Sequence, residues 1–317
     1  MRRARHLLHA RCSVMQAATL HGRAPEPPDR PPADGPWRAE LTDVVRAASG
    51  GLLFGVPLLY TMEVWWTGSH TTGPQMAGLL LLLLGPVFVL NQSAGFRADR
   101  DVRARDALMD TVEAVAIGIC VALIVLVLLR EVTVHTPLRL ALGEVLYEAV
   151  PFCLGIGVAR HFLQGGRDGS LDEGGVDGEG GSGRHRPHRA SLADVGATTI
   201  GASFIALSIA PTDEVPMLTS AMSPEWLLLL IAASLAVSYA IVFVAGFSGQ
   251  DDRHAQPGLL QHPATETVVS YLIAVVVAVA LLWFFQRGLR PWQDLVGRVV
   301  VLAFPAAVGG AAGRLAV

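Results

Sequence analysis

The sequence predicts an all-α membrane protein with about eight transmembrane helices, arranged as two tandem four-helix repeats. Three observations support this fold class. Apolar residues make up 52% of the chain and charged residues only 16%, the apolar residues form long blocks, and the second half of the chain repeats marked positions of the first. A soluble protein with this many buried helices would need amphipathic helices around them, and the sequence contains none.

The arm at the N-terminus, residues 1–40, is basic and rich in proline, and we expect it to be disordered. It lacks the apolar core of a signal peptide. The segment before the first predicted helix holds eight arginines, the first and fifth loops hold none, and the chain has no lysine. The positive-inside rule therefore predicts a multi-pass protein of the inner (plasma) membrane with both termini in the cytoplasm.

Eight apolar blocks have about the 20 residues that span roughly 30 Å of hydrocarbon. They cover residues 49–67, 76–91, 108–129, 139–162, 194–210, 224–246, 266–285 and 294–313. The fifth block is the weakest because four hydroxyl residues dilute it, which suits a helix packed inside the bundle. Gly51 and Gly55, and likewise Gly309 and Gly313, are four residues apart, and each pair predicts a close approach of a second helix.

The first predicted repeat, residues 41–163, carries acidic residues at the ends of its helices. Glu63 lies near the outer end of helix one, beside two tryptophans. It either reaches interfacial water or forms an outer acidic pair with Glu214 of the second repeat. Asp110 and Glu113 stand one turn apart at the cytoplasmic start of helix three, where the helix dipole favours carboxylates. Of these two, Glu113 lies deeper and is the better candidate for function.

Helix four contains the pair of residues that most strongly indicates function. Glu144 and Glu148 are four residues apart and share a helix face, where like charges raise each other's proton affinity. Pro151 frees a backbone carbonyl about one turn earlier, and carboxylates beside freed carbonyls bind cations or pass protons inside membranes. The alternative is a structural contact between helices. Arg298 is the only basic residue well inside a predicted span, and it aligns with Glu144 in the second repeat. Because equivalent positions near a two-fold axis can face each other, we predict that Glu144 pairs with Arg298 between the repeats, as a structural lock or as a gate. Glu148 is then the carboxylate without an assigned partner.

A glycine-rich, charged segment, residues 164–191, divides the chain and predicts a flexible cytoplasmic linker. The second repeat, residues 192–317, then follows the first in register. Marked residues recur: Thr61-Met62-Glu63-Val64 aligns with Thr212-Asp213-Glu214-Val215, and Gly143, Pro151, Gly155 and Arg160 align with Gly297, Pro305, Gly309 and Arg314. Because each repeat has an even number of helices, we expect a pseudo-two-fold axis along the membrane normal.

Two stretches, "LLFGVPLLYTMEVWW" and "APTDEVPM", resemble a bacterial family of integral membrane proteins catalogued only as domain of unknown function 2391. The resemblance runs from about Val44 to the C-terminus and leaves out the arm and the linker. The family has no established activity. The resemblance therefore implies an integral membrane protein and no particular mechanism.

Motifs that mark enzymes or cofactor sites are missing from the sequence. There is no HExxH, GxSxG, Walker or dinucleotide-binding pattern. Cys12, Cys120 and Cys153 are widely spaced, so neither a disulfide framework nor a cysteine zinc site is expected. We therefore expect no enzymatic activity, no cofactor, no metal site and no nucleic-acid partner, and the lipid bilayer is the expected surrounding.

Two functions from different classes fit the sequence. The first is a channel or carrier for protons, a small cation or a small solute, which explains the duplication, the intramembrane carboxylates and the helix-breaking prolines together. The second is a non-transporting membrane scaffold or a lipid-interacting partner of another protein, which explains the absence of a substrate motif. Carboxylates buried in paired contacts would favour the second function.

Overall fold

A computed structural model describes residues 36–93, 104–164, 187–245, 263–287 and 292–315. The chain divides into two compact units, residues 1–39 and residues 40–317. Only the start of the first helix is described in the smaller unit, so the predicted disorder of the arm falls largely outside the described residues. The same holds for most of the predicted glycine-rich linker.

The described residues form helices and contain no strand. The first half of the chain holds α1 (Pro36–Leu59), α2 (Met62–Ser69), α3 (Gly73–Ser93), α4 (Ala104–Leu128) and α5 (Leu138–Gln164). The second half holds α6 (Pro187–Ile209), α7 (Glu214–Ser220), α8 (Pro224–Tyr239) with the π-helix Ala240–Val244, α9 (Pro263–Phe284) and α10 (Trp292–Leu315). Seven of these helices are long and apolar enough to cross a membrane, or eight if the bent pair α6–α7 is one span.

The first predicted helix is broken instead of continuous. The chain leaves the helix after Leu59 and starts α2 at Met62. At this break the backbone N–H of Thr61 donates to the carbonyl of Leu58 at 2.9 Å, and the hydroxyl of Thr61 donates to the same oxygen. Threonine's hydroxyl thus competes with the helical hydrogen bonds. The sequence analysis missed this break because it considered hydrophobicity alone.

The break between α6 and α7 uses the same turn at the aligned residues. The backbone N–H of Thr212 donates to the carbonyl of Ile209 at 3.0 Å, and its hydroxyl donates there at 2.7 Å. The bend between α6 and α7 is 86°. A short helix therefore follows the first long helix in each half.

Glycines let the last helix of each half touch the first helix at the backbone. A Cβ atom added at Gly155 in α5 would collide with the carbonyl oxygen of Gly50 in α1. In the second half, a Cβ atom at Gly309 in α10 would collide with the carbonyl oxygen of Gly201 in α6. The close approach predicted from the spaced glycines is confirmed, since Gly51 also contacts α5.

The short helices pack against the N-terminal ends of the same last helices. Gly68 of α2 lies against the backbone of Gly143 in α5. In the second half, the methyl group of Thr219 in α7 lies against Gly297 in α10. This contact places each short helix directly beside the position that follows the glycine, which is Glu144 in one half and Arg298 in the other.

The ends of α4 and α9 share one cap geometry. Arg130 and Gln286 follow these helices with positive φ angles of 67° and 55°. The next residue then folds its N–H back onto the helix: Glu131 donates to the Leu126 carbonyl at 3.0 Å, and Arg287 to the Leu282 carbonyl at 2.8 Å. This is the pattern of a Schellman cap, which satisfies carbonyls that the helix end leaves over.

Within the described ranges, side chains of each half donate to backbone carbonyls of the other half. The hydroxyl of Tyr60 donates to the carbonyl of Val301 at 2.8 Å. The indole of Trp226 donates to the carbonyl of Leu128 at 2.6 Å, and Arg46 donates to the carbonyl of Ala245 at 2.7 Å. Leu128 and Ala245 lie at helix ends, where backbone carbonyls have no helical N–H donor. The bonds from Trp226 and Arg46 therefore satisfy these two carbonyls.

Candidate functional site

The most unusual side chain in the described structure is that of Glu148. It is fully buried in α5, with 0% of its surface exposed. Both carboxylate oxygens are buried, and neither has a hydrogen-bond partner among the described residues. A carboxylate removed from water without donors is costly, and in a membrane span such a residue by default marks a functional site.

The position of Glu148 follows from the packing of α5 on α1. Phe152 and Gly155, four and seven residues further along α5, both lie against α1, so Glu148 belongs to the stripe that faces this helix. Because Gly155 meets Gly50 and Phe152 meets Gly55, the antiparallel register carries Glu148 to the level at which α1 ends. Glu148 therefore lies beside the break between α1 and α2.

Glu144 lies on the same face of α5, one turn nearer the N-terminus of this helix than Glu148. Its backbone lies against Gly68 of α2, and its side chain is half-buried. Its Oε2 atom is buried without a hydrogen-bond partner among the described residues. The sequence prediction that these two glutamates share one helix face is consistent with this placement, and neither carboxylate has the full set of donors that it needs.

A third carboxylate, Glu131, was missed by the sequence analysis. It lies in the turn after α4, outside the membrane-spanning segments. Burial, and then the neighbouring Glu144 carboxylate, raise the pKa of Glu131 to about 7. We call Glu131, Glu144 and Glu148 the acidic series, because together they lead from the turn between α4 and α5 into the span. Sequence reasoning missed Glu131 because the search covered only the apolar blocks.

The predicted ion pair between Glu144 and Arg298 is wrong. Among the described residues, no ion pair joins the two side chains. The prediction assumed that these aligned positions face each other across the axis. Instead, each lies beside the short helix of its own half: Glu144 beside Gly68, and the residue before Arg298 beside Thr219.

The predicted outer acidic pair has two different environments. Glu63, in the first turn of α2, is exposed. Glu214, in the first turn of α7, reaches the other half and accepts the backbone N–H of Met62 at 3.4 Å through Oε1. Its Oε2 atom is buried without a partner among the described residues. Glu214 thus interacts with the N-terminus of α2, whose dipole favours a carboxylate.

The carboxylates near the N-terminal end of α4 have partners. Asp110 is 8% exposed and Glu113 is half-buried, and both make polar or electrostatic contacts. Next to them, the side chain of Asn91 donates to the hydroxyl of Thr111 at 3.3 Å. These two acids therefore suit a structural role better than the acidic series does.

A largely buried ion pair joins the start of α9 to the end of α10. Glu266, the residue aligned with Asp110, pairs with Arg314 at the end of α10. Arg314 is only 1% exposed, and it also donates to the hydroxyl of Ser270 at 3.0 Å. A buried charge with a partner of opposite sign does not need a transported ion to neutralise it.

The two predicted helix-break prolines each remove a backbone donor. Pro305 lies inside α10, and the carbonyl four residues earlier, that of Val301, receives the Tyr60 hydroxyl instead. Pro151 lies inside α5 and frees the carbonyl of Tyr147, the residue before Glu148. Sequence reasoning missed Tyr60, although its place next to the aligned Thr61 would have been a signal.

Comparison with known proteins gives a family. Residues 43–317 match the family described as "Putative integral membrane protein (DUF2391)". No curated protein and no solved structure matches the chain. The match covers almost all of the helices described above and bears out the resemblance found in the two sequence stretches. The chain therefore belongs to this family of integral membrane proteins, and it crosses the membrane several times.

Proposed function

We propose that this protein is a transport protein that moves protons across the membrane through its first half. The observation that carries the proposal is the complete burial of Glu148 with both carboxylate oxygens lacking donors. A residue in this state lowers stability, and such a cost is usually kept for function. A carboxyl group that gains and loses a proton within a span is the standard element of a proton pathway.

The other members of the acidic series give this carboxyl a connection to the outer side. Glu144 lies one turn outward on α5, and Glu131 lies beside Glu144 in the outer turn. A pKa of about 7 means that Glu131 exchanges protons readily near neutral pH. The proposed order of transfer from outside is therefore Glu131, then Glu144, then Glu148.

A non-transporting scaffold is the less favoured function. Such a protein is expected to bury its charges in satisfied pairs, as Glu266 and Arg314 do. Glu148 has no such partner among the described residues. The contrast between the fully buried Glu148 and the partly buried, paired Glu266 favours transport.

The proposed architecture is a tandem repeat of four spans, with a pseudo-two-fold axis along the membrane normal. Support comes from contacts that recur at aligned positions of the two halves. These are the threonine turns at the helix breaks and the caps of α4 and α9. They also include the glycine contacts between the first and last helices, and the packing of each short helix against a glycine of the last helix. The distribution of arginine supports an inner-membrane protein with cytoplasmic termini. A reporter that is active only in the cytoplasm, fused to the C-terminus, tests this orientation.

The transport proposal is tested by proton flux into liposomes that contain a trapped pH indicator. We expect the wild type to carry flux and Glu148→Gln to reduce it at least tenfold, because glutamine cannot release a proton. Glu63→Gln is the matched control, since Glu63 is an exposed glutamate of the same half. Wild-type flux no greater than that of protein-free liposomes, or an unchanged flux in Glu148→Gln, would overturn the proposal.

A further inference from the structure

The backbone carbonyl of Val301 loses its helical N–H donor to Pro305, but it receives a hydrogen bond from another side chain. Pro305 removes the helical donor of the Val301 carbonyl, and the Tyr60 hydroxyl donates to that oxygen at 2.8 Å in the buried core. The bond crosses from one half of the chain to the other. It satisfies an acceptor that would otherwise be costly to bury.

The aligned carbonyl in the first half has no such replacement. Pro151 removes the helical donor of the Tyr147 carbonyl. The residue aligned with Tyr60 is Pro211, which precedes Thr212 as Tyr60 precedes Thr61, and proline carries no hydroxyl. Among the described residues, no side chain donates to the Tyr147 carbonyl.

The residue that follows this carbonyl is Glu148, whose two carboxylate oxygens are buried without donors. Oxygen acceptors without donors thus lie on adjacent residues inside a span. This combination is absent at the aligned position in the second half. There Leu302 replaces Glu148, and Tyr60 occupies the carbonyl.

We infer that the Tyr147 carbonyl and the Glu148 carboxylate form a binding site for a monovalent cation of the oxygen-binding class, namely hydronium or sodium. One carboxylate balances one positive charge. Backbone carbonyls that lack a helical donor can complete the coordination of such ions in membrane proteins, and Pro151 leaves one such carbonyl within the continuous helix α5. Within the described ranges, no group of three or more His, Cys, Asp or Glu side chains is placed to hold a metal ion, so a multivalent ion is not the expected ligand.

The role of this site in transport rests on the proposed function, but binding can be measured without transport. The full chain is purified in detergent, and its melting temperature is compared in sodium chloride and in N-methylglucamine chloride at equal ionic strength. The comparison is repeated across a range of pH with wild type and Glu148→Gln. A ligand that binds only the folded state raises the melting temperature.

A sodium site predicts that sodium raises the wild-type melting temperature by several degrees and leaves Glu148→Gln unchanged. A hydronium site predicts no sodium effect, together with a rise at low pH that is larger in wild type than in Glu148→Gln. Using the difference between the two proteins removes the contributions of Glu131 and Glu144, which titrate in both. If neither cation distinguishes wild type from Glu148→Gln, the inference is overturned.

The part played by the carbonyl is tested by supplying the missing donor. Pro211→Tyr places a hydroxyl at the position aligned with Tyr60, and Pro211→Phe is the matched control without the hydroxyl. We expect the tyrosine variant to lose the cation effect and the phenylalanine variant to keep it. Pro151→Ala restores the helical N–H to the Tyr147 carbonyl and should also lose the effect. A cation effect that persists in both Pro211→Tyr and Pro151→Ala would overturn the site.

The two proposals can fail separately. A cation effect that depends on Glu148, without proton flux in liposomes, would retain the binding site and remove the transport function. Flux that depends on Glu148, without any cation effect on melting, would retain transport and remove the site.

Discussion

The turns after α4 and α9 have the same backbone and opposite charges. After the shared cap, the first half carries Glu131 and the second carries Arg287. The contrast continues along the last helix of each half. Glu144 and Glu148 in α5 align with Arg298 and Leu302 in α10. Matched helices and turns therefore do not determine the charge at each position, which depends on the individual side chains.

The environments of the two capped residues differ accordingly. Arg287 pairs with Asp213 at 2.5 Å and also donates to the carbonyl of Pro211. Glu131 instead has another carboxylate, Glu144, as its neighbour. In the second half, the positive charge of Arg287 has a carboxylate and a carbonyl as partners. In the first half, two carboxylates of like charge lie near each other. This difference is why we assign function to the first half.

The largest expected effect tests whether the halves are equally packed. Gly155→Leu and Gly309→Leu each force a side chain into a backbone contact between two helices. We expect each to destabilise the protein by more than about 3 kcal/mol, at the upper end of overpacking penalties. The measurement is thermal unfolding in detergent. Val296→Leu, at a half-exposed position of α10, serves as the control.

Both glycine variants should lower the melting temperature well below that of Val296→Leu. A large loss in one half and none in the other would break the structural side of the comparison. Melting temperatures equal to the control in both would show that the glycine contacts contribute nothing.

The next effect concerns the donor that only one freed carbonyl receives. Tyr60→Phe leaves the buried Val301 carbonyl unsatisfied, and we expect a loss of about 1 to 3 kcal/mol. In a Pro305→Ala background the helix supplies its own N–H, so the same change should cost much less. Unfolding measurements on the four proteins of this cycle give the coupling directly. Tyr239→Phe, at an exposed position, should have almost no effect.

A gain in stability is expected where the halves differ in buried charge. Glu148→Leu gives the first half the leucine that the second half has at Leu302. We expect this change to raise the free energy of unfolding by about 1 to 2 kcal/mol, because a functional residue that lowers stability is removed. We also expect the proton flux to be lost. A lower melting temperature would mean that Glu148 has a stabilising partner, which would weaken its functional assignment.

The smallest expected effect depends on pH. The pKa of Glu131 rises from 4.5 to about 7 in the folded protein, so the folded state binds this proton more tightly than the unfolded chain. Its contribution to stability is therefore fully present below about pH 4.5 and is lost as pH rises to about 7. Because Glu131 is partly exposed to solvent, we expect the free energy of unfolding to fall by only about 1 kcal/mol over this interval.

Glu131→Gln should flatten the fall in melting temperature over this pH interval. Glu63→Gln, which changes an exposed carboxylate, should leave the fall as it is in wild type. The same slope in Glu131→Gln as in wild type would place the titration on another group.

The helices could be predicted from the sequence because membrane-spanning length and apolar composition are local properties. The four-residue spacing of the glycines also predicted their close contacts with a second helix. The break at Thr61 could not be predicted from hydrophobicity, since it depends on a hydroxyl that competes for one carbonyl.

The candidate site was predictable only in part. The spacing of Glu144 and Glu148 placed them on one face, but their lack of donors depends on every neighbouring helix. Glu131 became important through its distance to Glu144, which involves a turn and a separate helix. The wrong pairing with Arg298 has the same origin: alignment identifies equivalent positions, and packing decides which way each one faces.

The contact between α4 and α5 also gives the chain a natural reporter of motion. Cys153 is buried, with its sulfur atom against Gly118 of the neighbouring helix, whereas Cys120 is exposed. We expect a thiol reagent to reach Cys153 when the packing around this contact opens. The rate of its modification, compared with that of Cys120, therefore measures how often the first half opens, without an engineered label.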